Sequence, residues 1–293
     1  MTRCLQYVQL DVFASRLFDG NPLAVVIDAD DLDTDAMQRI ARWTNLSETA
    51  FLLKPIQPQA DYRVRIFTTR QELPFAGHPS VGSAYVAIEA GKVTAGKRSL
   101  VQECAAGLLP VQVDGEGDSR VIHVQAPPAT IERCDDAFAG EIAEALHTPL
   151  NTARMRKVDN GPVWFVCDLD EASVVRALHP DFLAIASICE AASAIGVCVF
   201  GRERDGTASI AVRAFCPADG MPEDPVTGSA NAAIAAYLRE TDELKTYGPR
   251  YLASQGREVG RNGIVEVSVD AATSAITIGG ACAIGVRGVL RLH

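Results

Sequence analysis

The 293-residue sequence has no Cys-x-x-Cys pair, no basic cluster and no long unbroken apolar run, and each absence removes a class of function. Its eight cysteines (Cys4, Cys104, Cys134, Cys167, Cys189, Cys198, Cys216 and Cys282) are scattered and never grouped with histidine, which argues against a zinc site. Cys167 and Cys198 sit inside apolar stretches, where a free thiol behaves as a small hydrophobe in a reducing compartment, so a cytoplasmic location is expected. Lys and Arg number 27 against 37 Asp and Glu, a formal charge of -10. Without a basic patch, sequence-independent binding to nucleic acid is not expected, because neutralising phosphates takes clustered cations. The N-terminal segment breaks its apolar residues with polar ones at strand period, and no window is long enough to span a membrane, so neither a signal peptide nor membrane contact is expected.

What is present is ordinary globular composition, 48% hydrophobic and 22% charged, in a chain long enough for two domains. The densest acidic run, Asp28 to Asp33, reads as a solvated loop entering a helix. That helix should run from about Thr34, its expected N-cap, to Asn45, with Met37, Ile40 and Ala41 on the buried face.

The chain also repeats itself. Val64-Arg-Ile-Phe67 recurs as Val212-Arg-Ala-Phe215, and Gly77 to Ile88 can be laid over Glu223 to Ile234 with Pro79/Pro225, Gly82/Gly228 and Ser83/Ser229 among the identities. A weaker echo sets Asp19-Gly-Asn-Pro22 against Asp159-Asn-Gly-Pro162. A long-period repeat of this kind decides architecture. The segments opened by His78-Pro79 and Asp224-Pro225 are apolar all round, as a helix buried on every side must be. The expectation is an α+β protein of two similar domains, each an antiparallel, barrel-like sheet wrapped around a central helix. In this alignment His78 falls opposite Asp224, and pairing Phe51 with Phe200 sets Val197 opposite Glu48.

Proline at a first helical turn costs no hydrogen bond, so Asp224 reads equally as a plain N-cap. The neighbouring glycines and serines favour function, because they let a ligand approach amides that attract an anion. Phe18-Asp-Gly-Asn-Pro22, Glu48-Thr-Ala-Phe51, Phe75-Ala-Gly-His-Pro-Ser-Val-Gly82 and Pro222-Glu-Asp-Pro-Val-Thr-Gly-Ser-Ala230 resemble the signature segments of the PhzF family, in order and over nearly the whole chain. That family includes the isomerase of phenazine biosynthesis. Ser80 departs from the threonine common there but keeps the hydroxyl.

The resemblance implies a diaminopimelate-epimerase-like fold, with one domain formed by residues 1–122 plus 283–293 and the other by 123–282, and with the site in a cleft. It implies a cofactor-independent isomerase that shifts a proton on a small carboxylate, as trans-2,3-dihydro-3-hydroxyanthranilate isomerase does, and a homodimer. By that resemblance Glu48, His78 and Asp224 are the catalytic residues. Gly77, Gly228 and Ser229 are candidates to hold the carboxylate, and Asn21 to reach substrate, although a turn role suits Asn21 as well. Related racemases use a cysteine from each half, and none lies in Gly77 to Ser83 or Glu223 to Ala230, so two-thiol chemistry is not expected. Another epimerase or lyase reaction, or a binding protein that lost the reaction, is the alternative. His123, His147, His179 and His293 read as structural, and Trp164 and Phe165 as core.

Overall fold

The computed structural model describes residues 3–292, and the chain divides into two compact units. One contains residues up to Gln125 and those from Gly279 onward; the other is Ala126–Ile278. In the first, the elements run β1 (Arg3–Val12), β2 (Asn21–Ile27), α1 (Thr34–Thr44), β3 (Glu48–Leu53), β4 (Tyr62–Thr68), β5 (Glu72–Leu73), α2 (Gly77–Glu89), β6 (Ser99–Cys104), β7 (Gly107–Asp114) and β8 (Val121–Gln125). The second holds β9 (Thr130–Arg133), α3 (Asp136–Ala145), β10 (Arg156–Asp159), β11 (Val163–Glu171), α4 (Ala172–Arg176), α5 (Phe182–Ala191), β12 (Gly196–Arg202) and β13 (Ile210–Cys216). It continues through β14 (Met221–Asp224), α6 (Gly228–Glu240), α7 (Leu244–Tyr247), β15 (Arg250–Gln255) and β16 (Gly263–Val269). A last strand, β17 (Ile276–Leu292), starts in the second unit and ends in the first, where it pairs with β1 from Cys282 to Leu292.

The fold is α+β, as the sequence led us to expect. In the first unit the pairings β1-β2-β3-β4-β6-β7-β8-β17 return to β1, closing a barrel. The second unit repeats the order as β10-β11-β12-β13-β15-β16, with β9 beside β10. The sheets are mixed rather than purely antiparallel: β2 and β3, β4 and β6, β11 and β12, and β13 and β15 run parallel. Each of these pairs is joined by a segment that contains a helix, and such a crossover returns the chain in the same direction.

The helices apolar on all sides are the central ones. Gly77 to Ala87 of α2 are all buried, and so is α6 from Ala230 to Leu238. At Gly82 an added Cβ would lie 2.5 Å from Leu23 Cδ2 and 2.8 Å from Val12 Cγ2, so only glycine lets β1 and β2 come this close to α2. The other helices lie on one face. Asp33, not Thr34, caps α1, its carboxylate accepting from Ala36 N at 2.7 Å, and Asn45 closes the helix in the left-handed region. Met37, Ile40 and Ala41 are buried as expected, against Leu5, Val26, Phe51 and Phe67. The acidic run is a loop whose members act locally: Asp28 pairs with Lys92 at 2.6 Å, and Asp30 accepts from Lys54 N.

At the end of α2, Glu89 accepts from Arg120 at 2.8 Å and from Arg287 of β17 at 3.2 Å. The Arg120 hydrogen bond, aided by Arg287, holds its carboxyl below the usual range against the opposing effect of burial. A carboxyl depressed by folding adds stability above its unfolded pKa, and that stability is lost as pH falls through the folded value. Glu89→Gln is therefore expected to melt at lower temperature than the parent at pH 7, with the gap closing below about pH 4, near the unfolded carboxyl value. Melting curves at the two pH values check this; a gap that does not narrow would show that lost packing, not charge, is responsible.

The cysteines are free thiols, six of them buried, and burial pushes Cys134 up to about 11 and Cys189 up to about 12. His123 lies 3.4 Å from Asp114, and His147 reaches the carbonyl of His179; His293 falls outside the described residues. Among the described residues no helix is long and apolar enough to cross a membrane, and no group of three or more His, Cys, Asp or Glu could hold a metal ion.

Candidate active site

Glu48 is the first residue of β3, opposite Thr68 of β4, and it enters the barrel where α1 has just ended. His78 is the second residue of α2. Strand and helix bring Glu48 Oε2 to 3.5 Å from His78 Nε2, with side chains only 17% and 6% exposed. On the other ring nitrogen, Asn21 Nδ2 lies 3.5 Å from His78 Nδ1, and Ser47 Oγ reaches Asn21 Oδ1 at 3.5 Å. Asn21 is fully buried at the start of β2. Ser80, one turn along α2, accepts a hydrogen bond from Gln102, whose oxygen accepts in turn from Tyr62. Glu48, His78 and Asn21 thus form one buried constellation within the first unit.

In the second unit Asp224 ends β14 and is buried; the N-cap of α6, which begins at Gly228, is Thr227 and not Asp224. Thr227 Oγ1 donates to Asp224 Oδ2 at 2.5 Å. Ser229 is held twice, its carbonyl by Asn160 Nδ2 at 2.9 Å and its hydroxyl by Trp164 Nε1 at 3.2 Å. Gly77 and Gly228 are each the first residue of their buried helix. The second helix start was expected at Asp224-Pro225; Pro225 in fact lies before the N-cap.

Strand register corrects the alignment of the halves. Arg65 of β4 grips Glu72 of β5 through two hydrogen bonds of 2.7 and 2.6 Å while lying over Phe67, and Arg213 of β13 grips Glu223 of β14 at 2.9 and 2.7 Å while lying over Phe215. Ile66 pairs with Leu73 as Ala214 pairs with Asp224, so the counterpart of Asp224 is Leu73, not His78. The helices agree: Lys92 N closes α2 on Ala87 O as Glu243 N closes α6 on Leu238 O, which matches Gly77 with Gly228 and His78 with Ser229. The match of Gly82-Ser83 with Gly228-Ser229 is therefore a coincidence of small residues.

The same test moves the partner of Glu48. Thr49 pairs with Phe67 and Val197 with Phe215, so Glu48 corresponds to Gly196, one residue before Val197. A Cβ at Gly196 would lie 2.2 Å from Phe215 O and 2.7 Å from Trp164 Cζ3. The indole of Trp164 fills the place, and no side chain of any kind fits there.

Over residues 10–288 the chain matches the family of phenazine biosynthesis-like proteins, PhzC-PhzF. The chain belongs to this family. A relative in Schizosaccharomyces pombe, antisense-enhancing sequence 1, is 39% identical over 94% of both chains. The trans-2,3-dihydro-3-hydroxyanthranilate isomerase of Pseudomonas aeruginosa is 37% identical over 87% of both. Among solved structures, the PhzF-family phenazine biosynthesis protein of Bacillus anthracis superposes with a TM-score of 0.83 at 25% identity, covering 98% of this chain and 99% of that one.

Sequence reading missed Thr227, Asn160, Gln255 and the two Arg–Glu clamps. Arg65 and Arg213 already stood in the repeated Val-Arg segment, but their acids follow at different spacings, Glu72 seven residues and Glu223 ten residues on, so the sequence did not pair them.

Proposed function

We propose that this PhzF-family protein is a cofactor-independent isomerase that moves a proton along the frame of a small, cyclic or amino-acid-derived carboxylate. The observation that carries the reading is Glu48 beside His78, both sheltered from water, while the corresponding place in the other unit is sealed by Trp164 over Gly196. A two-base inversion needs an acid and a base of similar kind, one from each half; a carboxylate on one side only suits removal and return of a proton by one group. The identity to a trans-2,3-dihydro-3-hydroxyanthranilate isomerase supports the same class of substrate.

In this reading Glu48 takes the proton from one carbon and returns it to another. His78, steadied by Asn21, orients the carboxyl of Glu48 and relays the proton. The amides around Gly77, Gly228 and Ser229 receive the substrate carboxylate, because unpaired amides at a helix start attract an anion. Asp224 receives its amino or hydroxyl group.

The test is proton NMR in deuterated water with trans-2,3-dihydro-3-hydroxyanthranilate and related carboxylates. Deuterium should enter one specific carbon of a substrate. Ligands that perturb protein shifts but never exchange would instead make this a binding protein.

A further inference from the structure

We propose that Gln255 acts as a positioning residue that locks Asp224 as a hydrogen-bond acceptor, through a one-way chain Gln255 to Thr227 to Asp224. The proposal rests on the reading that Asp224 holds a donor group of the substrate, and it names what makes that group an acceptor. Gln255, at the end of β15, is fully buried, as is Asn231 of α6; Thr227 and Asp224 are nearly so.

Each proton in this cluster has one place to go. Gln255 Nε2 donates to the carbonyl of Asp224 at 3.0 Å and to Thr227 Oγ1 at 2.8 Å, which uses both of its hydrogens. Gln255 Oε1 accepts from Thr227 N and from Asn231 Nδ2, both at 3.0 Å. The second Asn231 proton goes to the carbonyl of Thr227 at 2.8 Å. Turning the Gln255 amide over would set oxygen against the Asp224 carbonyl and nitrogen against two donors, so the orientation is determined by the neighbours.

The consequence falls on Thr227. Its oxygen accepts from Gln255, a group that can only donate, and the acceptor its own hydroxyl proton faces is Asp224 Oδ2, 2.5 Å away. A carboxylate oxygen that receives this proton is fixed in the role of acceptor. Asp224 therefore selects a ligand that presents N–H or O–H, such as the amino group of a cyclic amino carboxylate. A merely structural network would not care which way its hydroxyl proton points.

The experiment compares binding of anthranilate and benzoate, which share ring and carboxylate and differ by the amino group, to the full chain by calorimetry. The parent protein should prefer anthranilate about tenfold, the ratio expected for one hydrogen bond to a charged group. Gln255→Met should cut the preference severalfold, and Thr227→Val should abolish it; Thr227→Ser, which keeps the hydroxyl, should retain it. Benzoate is the internal measure of an intact site, and Thr227→Val tests the chain if Gln255→Met does not fold. Asp224→Asn separates the two levels of the argument. If it removes the preference while Thr227→Val does not, the relay is wrong and the role of Asp224 stands. If Asp224→Asn leaves the preference intact, the assignment of Asp224 falls and the relay falls with it.

Discussion

On the proposed reading, Glu48→Gln is expected to lower turnover of whichever carboxylate the exchange experiment identifies by about a thousandfold or more while leaving its binding within about twofold, in line with the 10²–10⁴ that a positioned acid or base contributes. Glutamine keeps the shape and can still meet His78, so the constellation with Asn21 persists. What disappears is a group able to take a proton and give it back. The loss should show in the chemical step rather than in affinity, which single-turnover rates and calorimetry separate. Retention of more than a tenth of the activity would remove Glu48 from the role of proton carrier. The supply of that role from elsewhere is restricted, since its counterpart Gly196 has no room for a side chain.

The largest effect on stability is expected at Arg213. Its side chain is 7% exposed and that of Glu223 is 5%, and besides the two bonds to Glu223 it donates to the carbonyls of Val175 and Leu178. Arg213→Met leaves a carboxylate buried without its partner, which costs about 3–5 kcal/mol for a buried pair. The matching clamp in the first unit is more open, Arg65 being 19% exposed and Glu72 30%, so water can take over part of the charge. Arg65→Met should cost about 1 kcal/mol or less, as for exposed pairs. Chemical denaturation of the two variants compares them directly. Equal losses would mean that the clamps differ only in appearance, and that burial does not decide their worth.

The two clamps also show why the sequence was readable in one respect and misleading in another. Val64-Arg-Ile-Phe67 and Val212-Arg-Ala-Phe215 were recognisable because a strand beside a central helix needs alternating apolar residues and the arginine has a defined partner. The helix starts were recognisable as candidate sites from His78, Asp224 and the glycines, but their mutual alignment was not. Glycine, serine and alanine recur wherever a helix is packed closely by strands, so their identity carries little information about register. The unit-two chain inserts a short turn, Pro217–Asp219, between β13 and β14, and that insertion shifts everything after it. A one-residue slip in a strand sends every side chain to the other face, which is how Val197 stood where Gly196 belongs.

By itself, the sequence determined that this chain has two repeated halves, that each buries a helix apolar on every side, and that it belongs among the PhzF-like proteins; these follow from hydrophobic period and from residue order, which survive any choice of register. Only the tertiary structure decided which residues are counterparts, that Trp164 fills the place in the second unit that corresponds to Glu48 in the first, and that Gln255 and Thr227 stand behind Asp224. Hydrogen bonds between strands distant in the chain set those relations, and no local pattern of residues records which atom of one strand meets which atom of another.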